Sequence, residues 1–270
     1  DTSATEPALI YIGVPVHNEE RTAGVLLWRI RKLLSEGGPE FRVVVVDDGS
    51  TDETPEVLAP YDSVLPLTLI RHDERRGYAV STERIVREVL SESDYHKRDA
   101  LITLQADFTE APEVIPRMVK SFQGGTDLVA AYPEEEEGTP RAVRWGRKGA
   151  RFLLGGAPAL EGVEDPFCGF RLYRLFLLHR AIQDLPDGRD RLLRHDGWAA
   201  NAEMLAAVRP HVRQMQQVPF DKDYGRRYRA TRFRLLSEMW DLWSLRREIG
   251  GASRGGGASS SGSAEAREAS

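Results

Sequence analysis

Two adjacent acidic side chains follow an apolar run in the first half of the chain. Asp47 and Asp48 come directly after Phe41–Val46 and precede Gly49. A carboxylate accepts hydrogen bonds from a base N–H or from ribose hydroxyls, and glycine lets the backbone approach a ligand closely. Burying an acidic side chain at the end of a strand costs free energy unless the acid is paired or binds a ligand. The pair therefore predicts a nucleotide site, although a solvated turn before a helix would also place polar residues here.

A third acid, Asp107, follows the apolar run Ala100–Leu104. Facing the same edge of a sheet, it could hold a hard divalent cation against a diphosphate. Mg²⁺ and Mn²⁺ favour oxygen ligands and leave positions open for phosphate oxygens. One carboxylate is a minimal metal site, so the spacing alone supports this hypothesis less strongly than it supports the nucleotide site.

The elements that position these acids alternate between strands and helices. Near-continuous β-branched strands separated by helices predict a parallel sheet covered on both faces, with ligands at the carboxyl ends of its strands. Strands are predicted at Ala8–Val16, Phe41–Val46, Val64–Ile70, Ala100–Leu104 and Asp127–Tyr132. The first predicted helix has Val25 to Leu34 on one face, and the second follows a capping box of Ser50 and Glu53. Two further helices are predicted at Gly77–Leu90 and Pro112–Phe122. The chemistry is then expected at Pro15–Glu19, Asp47–Ser50 and Gln105–Thr109.

The second half of the chain is less regular. Glu134–Glu137 reads as a solvated acidic loop. A short strand is predicted within Phe167–Arg174, a helix at Ala199–Val208, a strand at Gln214–Phe220 and a helix at Tyr228–Glu248. From Gly250 the composition shifts to Gly, Ser and Ala, which cannot bury enough apolar surface to become ordered.

The composition excludes several classes of protein. Of 270 residues, 41% are hydrophobic and 29% charged, which is ordinary for a globular domain. The net charge of −5 argues against a nucleic-acid partner, and a lone cysteine, Cys168, excludes an intramolecular disulfide or a multi-cysteine zinc site. No apolar run approaches the ~18 to 20 residues that cross a bilayer. We expect a reducing, cytoplasmic setting.

Three motifs occur in order along the chain: PVHNEE, VVVVDDGSTDET and LQADFTEAPE. Together they resemble the family 2 glycosyltransferases, which have the GT-A fold. The segment DPFCGFR at Asp165–Arg171 is similar to that of the polyprenyl-phosphate (dolichol-phosphate) sugar transferases, as is Val218–Arg229. The resemblance covers Ala8 to Arg247.

The resemblance implies one domain with a Rossmann-like, mostly parallel sheet flanked by helices and a C-terminal helix. The expected boundaries are a flexible N-terminus at 1–7, a GT-A domain at 8–248 and a disordered tail at 249–270. Within the GT-A domain, a nucleotide half at 8–133 precedes an acceptor half at 134–248.

The same resemblance implies an inverting transfer from a nucleotide-diphosphate sugar. Pro15, His17, Glu19 and either Asp47 or Asp48 would line the base and ribose pocket. Gln105-Ala106-Asp107 occupies the place of the family's DxD metal motif, with Gln105 replacing its first acid. Asp107 would then hold Mg²⁺ or Mn²⁺, and Gln105 would contact the sugar or ribose.

The expected acceptor is polyprenyl phosphate, whose phosphate oxygen is already ionised and needs no general base. Positioning and charge stabilisation would then carry catalysis. A saccharide hydroxyl acceptor would instead need a carboxylate base, Glu203 first and Asp165 second. A non-catalytic nucleotide-sugar binder also stays open, because Gln105 replaces an acid. The side chains expected to hold acceptor phosphate or leaving diphosphate are Arg144, Arg147, Arg171, Arg227 and Arg229.

The predicted C-terminal helix carries an apolar stripe that includes Trp240 and Trp243, flanked by arginines. Tryptophan with arginine is typical of a helix at a membrane interface, which would place a cytoplasmic enzyme peripherally on a membrane that carries its acceptor. Packing on the core is the simpler expectation. A homodimer contact is a third role for the stripe.

Overall fold

The computed structural model describes residues 7–35, 37–134, 158–220 and 240–247. A seven-stranded sheet lies at its centre, with helices against both faces. The strands are β1 (Ile10–Val16), β2 (Phe41–Asp47), β3 (Leu67–Arg71), β4 (Ala100–Thr103), β5 (Leu128–Pro133), β6 (Arg171–Arg174) and β7 (Met215–Phe220). The α-helices are α1 (Ala23–Ser35), α2 (Thr54–Leu58), α3 (Tyr78–Glu92), α4 (Ile115–Gln123), α5 (Leu175–Gln183) and α6 (Gly197–Val208), and residues 240–247 are also helical.

The strand order is β3-β2-β1-β4-β6-β5-β7. The first four of these are parallel, so their carboxyl ends meet at one edge of the sheet. β6 runs antiparallel to both of its neighbours, and β5 and β7 pair in parallel. The prediction of a mostly parallel α/β sheet is confirmed. β6 is antiparallel because the chain enters it at the edge of the sheet where β1 to β4 end, here called the carboxyl edge.

Both faces of the sheet are buried, which explains why its strands read as nearly continuous apolar runs. Alternate residues of β1 contribute to two cores: Ile12 faces the core that contains α1 and α4, and Tyr11 faces the core that contains α3, α5 and α6. Gly13 lies on the α3 side, where a Cβ atom would come 2.5 Å from Cγ2 of Ile85. Glycine therefore lets α3 pack closely on β1.

The capping box predicted from Ser50 and Glu53 is wrong. α2 begins at Thr54 with Glu53 as its N-cap, and the cap makes no side-chain hydrogen bond. Ser50 Oγ instead accepts a hydrogen bond from the backbone N–H of Asn18, 2.8 Å away, in the loop after β1. A tertiary partner thus replaced the local one that the sequence pattern favoured.

Several other predictions lie outside the described residues. They are the acidic loop beyond Glu134, the first part of the helix predicted at Tyr228–Glu248, and the Gly/Ser/Ala tail. The predicted strand at Val64–Ile70 lies slightly later, at Leu67–Arg71, and that at Phe167–Arg174 is limited to Arg171–Arg174.

We expect Ile102→Ala to lower the free energy of unfolding by about 2–5 kcal/mol, because Ile102 is fully buried on β4 and truncation leaves a cavity. Val25→Ala on the exposed side of α1 is the matched control and is expected to change it by less than about 0.5 kcal/mol. Urea unfolding followed by circular dichroism measures both. Equal effects of the two substitutions would contradict the assignment of this core.

Candidate active site

The loops after β1 and β2 interlock at the carboxyl edge of the sheet. Besides its bond to Ser50, Asn18 accepts a hydrogen bond at Oδ1 from the backbone N–H of Thr51, 2.8 Å away. The N–H of Glu19 donates to Thr54 Oγ1, also at 2.8 Å. His17 Nδ1 lies 2.8 Å from the carbonyl oxygen of Asp48. The predicted residues His17, Glu19 and the Asp47–Asp48 pair are therefore brought together.

Asp47, which ends β2, is a buried residue with 1% exposure. Its Oδ1 accepts the backbone N–H of Ser50 at 2.9 Å, and its Oδ2 lies 3.5 Å from Nε of Arg71 at the end of β3. Among the described residues, Oδ2 has no hydrogen-bond partner. Burying a carboxylate oxygen without a hydrogen-bond donor costs free energy, and a donor from a ligand would offset that cost. Of the two aspartates, Asp47 is therefore the one that could accept a further hydrogen bond.

The Asp48 carboxylate binds the segment that follows β3, residues 72–77, here called the β3 loop. Its Oδ1 accepts the backbone N–H of Arg76 at 2.8 Å and lies 2.9 Å from His72 Nδ1, and its Oδ2 accepts the N–H of Gly77 at 2.8 Å. Burial by itself would raise the pKa of Asp48, but these hydrogen bonds outweigh burial and lower that pKa below its ordinary value. Asp48 therefore anchors the β3 loop as an ionised carboxylate.

The β3 loop was missed in the sequence prediction, which placed chemistry only after β1, β2 and β4. It packs on the turn after β2, where a Cβ atom on Gly49 would come 2.6 Å from the backbone of Glu74. Gly49 has a φ of 62°, which favours glycine. Arg75 and Arg76 are exposed on this loop, and Asp48 holds the loop through the backbone N–H of Arg76.

Asp107 lies in a tight turn after β4. Its Oδ1 accepts hydrogen bonds from both the N–H and the Oγ1 of Thr109, at 3.0 and 2.6 Å, and the residue is 8% exposed. Glu110, which was not predicted, is buried and accepts the N–H of Gln105 at 2.7 Å. The loop thus places the Asp107 carboxylate at the same edge as Asp47, on the other side of β1.

Arg171, predicted to hold phosphate, contacts main-chain carbonyl groups in the structure. Its guanidinium is fully buried and donates to the carbonyl oxygens of Asn201 and Pro166, at 2.6 and 2.7 Å. Asn201 in turn donates from Nδ2 to the carbonyl of Phe167 at 2.9 Å. Both side chains therefore fix the segment that contains Asp165, and a contact of Arg171 with phosphate stays a prediction.

Glu203 is also a structural anchor in this arrangement. Its carboxylate accepts hydrogen bonds from Arg189 at 2.6 Å and from the backbone N–H groups of Arg194 and His195 at 2.8 and 3.1 Å. Burial opposes ionisation, but hydrogen bonds from His195 and the two amides hold the pKa of Glu203 below its ordinary value. A general base works best with a pKa near the operating pH, so this geometry does not favour the predicted role.

Two further residues connect the nucleotide half to the acceptor half, and no sequence motif pointed to either of them. Tyr78, at the start of α3, donates from its hydroxyl to Asn201 Oδ1 on α6, 2.8 Å away. Asp196, just before α6, accepts the N–H of Ala79 at 2.9 Å. Asp165 is buried near this junction and accepts the N–H of Phe167 at 3.0 Å.

The four remaining predicted phosphate ligands, Arg144, Arg147, Arg227 and Arg229, lie outside the described residues. Within the part of the chain that the structure describes, no group of three or more His, Cys, Asp or Glu side chains could hold a metal ion by itself. In the same part, no helix combines the length and apolarity needed to cross a bilayer.

The model of glycosyl transferase family 2 matches residues 11–181, which is more than half of the chain. The chain belongs to this family. The matched residues include the loops after β1, β2, β3 and β4, so the carboxyl edge described above lies within the match. The GT-A expectation for the fold is confirmed with it.

The curated relatives share modest identity. The undecaprenyl-phosphate 4-deoxy-4-formamido-L-arabinose transferase of Pseudomonas aeruginosa is 30% identical over 171 residues, covering 62% of this chain and 47% of that protein. The dolichol-phosphate mannosyltransferase of Pyrococcus furiosus is 28% identical over 163 residues, covering 58% and 44%. The chain spans about half the length of the curated relatives it matches.

Solved structures share the fold across most of the chain. Glucosyl-3-phosphoglycerate synthase from Mycobacterium tuberculosis, in complex with Mn²⁺, UDP and glucosyl-3-phosphoglycerate, has a TM-score of 0.60 at 18% identity and covers 90% of this chain and 77% of that chain. The same enzyme with Mg²⁺ and UDP has a TM-score of 0.58. At this identity, the likeness shows the GT-A fold alone.

We expect Glu203→Gln to destabilise the protein by about 1–3 kcal/mol at pH 7, because an amide leaves some of the donors around it unpaired. Since the pKa of Glu203 is lowered on folding, its contribution is complete above its unfolded value of 4.5 and is lost as the pH falls below that value. The difference in unfolding free energy between wild type and variant should therefore shrink between about pH 5 and pH 3. A difference that stays constant over this range, measured by urea unfolding, would contradict the anchor assignment.

Proposed function

We propose that this protein is an inverting glycosyltransferase that moves a sugar from a nucleotide-diphosphate sugar to polyprenyl phosphate. Family membership supports the reaction class, and the curated relatives named above act on undecaprenyl phosphate or dolichol phosphate by their names. The solved structures of the same fold contain UDP with Mn²⁺ or Mg²⁺. These likenesses support a nucleotide-sugar donor and a lipid-phosphate acceptor.

The buried carboxylate of Asp47 is the observation that carries the donor half of the proposal. Its Oδ2 has no hydrogen-bond partner among the described residues, at the strand edge where open α/β sheets bind ligands. A base N–H or a ribose hydroxyl would satisfy that oxygen. Asp48 then contributes indirectly, by holding the β3 loop, and Pro15, His17 and Glu19 line the same edge.

Asp107 fits a divalent cation as a single protein ligand. Mg²⁺ is usually held by one or two carboxylates together with substrate phosphates, and the bonds from Thr109 fix the orientation of this carboxylate. Mg²⁺ or Mn²⁺ bound there would neutralise charge on the leaving diphosphate. Gln105, whose backbone N–H donates to Glu110, would contact the sugar or ribose.

The transfer follows from the acceptor's own chemistry. An ionised phosphate oxygen of the lipid attacks the anomeric carbon from the face opposite the leaving group. A new carbon–oxygen bond forms, the bond to the nucleoside diphosphate breaks, and the configuration inverts. No proton is removed, so no general base is needed, which agrees with the full engagement of Glu203. Arg71, Arg75 and Arg76 lie at this edge and would stabilise charge on the diphosphate.

A membrane surface is the proposed site of action. In the helical segment 240–247, Leu242 and Leu245 are buried in the core, whereas Trp240 and Trp243 are 67% and 42% exposed with ring centroids 5.3 Å apart. Arg247 lies over the Trp243 ring, 4.9 Å from its centroid. The segment thus packs on the domain and also presents an aromatic and cationic face, which suits the interface of an anionic bilayer.

We expect purified protein to transfer labelled sugar from a nucleotide-diphosphate sugar to undecaprenyl phosphate, with UDP-, GDP-, dTDP- and CDP-sugars tested in parallel. Asp107→Asn should lower the rate by at least about 100-fold, because it weakens charge stabilisation of the leaving group. Asp94→Asn, an exposed substitution before β4, should leave the rate unchanged.

Other outcomes of that assay identify the alternatives. Transfer to a saccharide hydroxyl but not to the lipid would favour a carboxylate base, with Asp165 ahead of Glu203. Thermal stabilisation by a nucleoside diphosphate without turnover on any acceptor would favour a non-catalytic nucleotide-sugar binder.

We expect the protein to bind vesicles of phosphatidylglycerol and phosphatidylcholine, and the double substitution Trp240→Ala, Trp243→Ala to weaken binding by about tenfold or more, because both exposed rings would be lost. Trp28→Ala, which removes an exposed tryptophan from α1, is the control and should bind as wild type does. Vesicle flotation measures all three. Wild-type protein that stays with the soluble fraction would contradict the membrane proposal.

A further inference from the structure

The two acids after β2 differ in the number of oxygen atoms that they could offer to a base. Both oxygens of Asp48 accept hydrogen bonds from the β3 loop, Oδ1 from the backbone N–H of Arg76 and Oδ2 from that of Gly77. Oδ1 of Asp47 accepts the backbone N–H of Ser50 at 2.9 Å, and its Oδ2 has no hydrogen-bond partner among the described residues. The pair therefore presents one carboxylate oxygen, Oδ2 of Asp47, and not the two of a bidentate acceptor.

An exposed side chain lies next to that oxygen. Nε of Arg71, at the end of β3, is 3.5 Å from Oδ2 of Asp47, and Nη2 of Arg71 donates to the carbonyl oxygen of Ser50 at 3.2 Å. The Arg71 side chain is 56% exposed, whereas that of Asp47 is 2% exposed. Because exposed side chains change rotamer rapidly, Arg71 can give way to a ligand that donates to the same oxygen.

The position of Asp47 favours the base of a nucleotide over its ribose. The cation proposed at Asp107 would hold the diphosphate beyond the end of β4, and β1 lies between β4 and β2. Two strand spacings amount to about 10 Å. The ribose carries the diphosphate directly, whereas the base is the part of a nucleotide farthest from it. We therefore expect the base, and not the ribose, at Asp47.

The bases differ in the groups on the edge that faces away from the ribose. Uracil and thymine carry one donor there, the imide N3–H, between two carbonyl oxygens. Guanine carries two adjacent donors, N1–H and its amino group, which match both oxygens of a carboxylate. Cytosine and adenine place an unprotonated ring nitrogen there, which repels a carboxylate. A single accepting oxygen pairs the one donor of uracil or thymine and leaves a donor of guanine unpaired, which lowers affinity.

We propose that the donor carries a uracil-type base, uracil or thymine, whose imide N3–H donates to Oδ2 of Asp47 in place of Arg71. The inference rests on the proposed function, because it takes Asp107 as the place of the diphosphate. Asp47 then determines which nucleotide-diphosphate sugars the protein accepts.

The first test leaves the protein unchanged and alters the nucleotide. Calorimetry in the presence of Mg²⁺ measures the binding of UDP, dTDP, 3-methyl-UDP, GDP and CDP to the wild type. Because methylation removes the imide hydrogen, we expect 3-methyl-UDP to bind about 10- to 100-fold more weakly than UDP, the size of one hydrogen bond to a charged group. GDP and CDP are also expected to bind more weakly than UDP, and the comparison of UDP with dTDP identifies the preferred base of this type.

The second test reverses the hydrogen-bonding group. In Asp47→Asn, the N–H of Ser50 needs an acceptor, so the amide oxygen takes the place of Oδ1 and the amide NH₂ takes the place of Oδ2. The variant then donates where the wild type accepts. We expect UDP to lose about 10- to 100-fold in affinity and CDP to gain affinity, because N3 of cytosine is an acceptor. Asp94→Asn, the exposed control, should bind every nucleotide as wild type does, and the melting temperature without ligand shows whether each variant is folded.

Two results would overturn the inference and leave the donor site intact. One is GDP or CDP binding to the wild type at least as tightly as UDP and dTDP do. The other is 3-methyl-UDP binding as tightly as UDP; an equal loss of UDP, CDP and GDP affinity in Asp47→Asn would then place the ribose at Asp47. If none of the nucleotides binds to the wild type, the proposed donor site fails, and the choice of base fails with it.

Discussion

The carboxylate of Asp48 is the interaction on which the carboxyl edge of the sheet depends. It ends the buried strand β2 and accepts two consecutive backbone N–H groups of the β3 loop, at Arg76 and Gly77, while His72 lies at hydrogen-bond distance. Bonds from amides to an ionised acceptor are stronger than neutral ones, so a single side chain fixes the loop that begins α3. Without it, α3 would lose its anchor to the sheet at the end nearest the site.

Two other buried carboxylates also accept hydrogen bonds from the backbone N–H groups of a loop. Glu83 on α3 accepts the backbone N–H groups of Leu192 and Leu193, at 3.0 and 3.1 Å, and Glu203 accepts those of the next two residues. Together they hold four consecutive amides of the segment before α6. A segment without regular structure can be buried only if its backbone groups are paired, and two acids from different helices supply that pairing.

The buried acids fall into two groups: those that hold loops of the protein, and those proposed to contact the donor or a cation. Asp48, Glu83 and Glu203 have their oxygens occupied by donors from the protein. Oδ2 of Asp47 lies 3.5 Å from Nε of Arg71 and has no hydrogen-bond partner among the described residues, and Asp107 is oriented by its own loop at the edge of the sheet. A transfer to an ionised phosphate needs positioned charge rather than proton removal, and a site whose deeply buried glutamate is already paired suits that chemistry.

Local sequence determined the strands, most of the helices and the placement of three acids at strand ends. Strand-length apolar runs followed by acids predicted where Asp47, Asp48 and Asp107 would lie, because parallel strands bring their carboxyl ends to one edge regardless of the details of packing. The sequence could not separate the roles of Asp47 and Asp48, since the donors that occupy Asp48 come from residues 24 to 29 positions later in the chain.

Only the tertiary structure decided which groups Arg171 and Glu203 contact. From the sequence, arginine and glutamate are both suited to catalysis. In the structure, Arg171 donates to the carbonyl oxygen of Asn201, 30 residues later, and Glu203 accepts from Arg189, 14 residues earlier. A charged side chain becomes an anchor or a reactive group according to which donors and acceptors surround it, and those neighbours come from elements distant in sequence. Strand periodicity and strand-end acids are local properties, and the sequence by itself could therefore determine them.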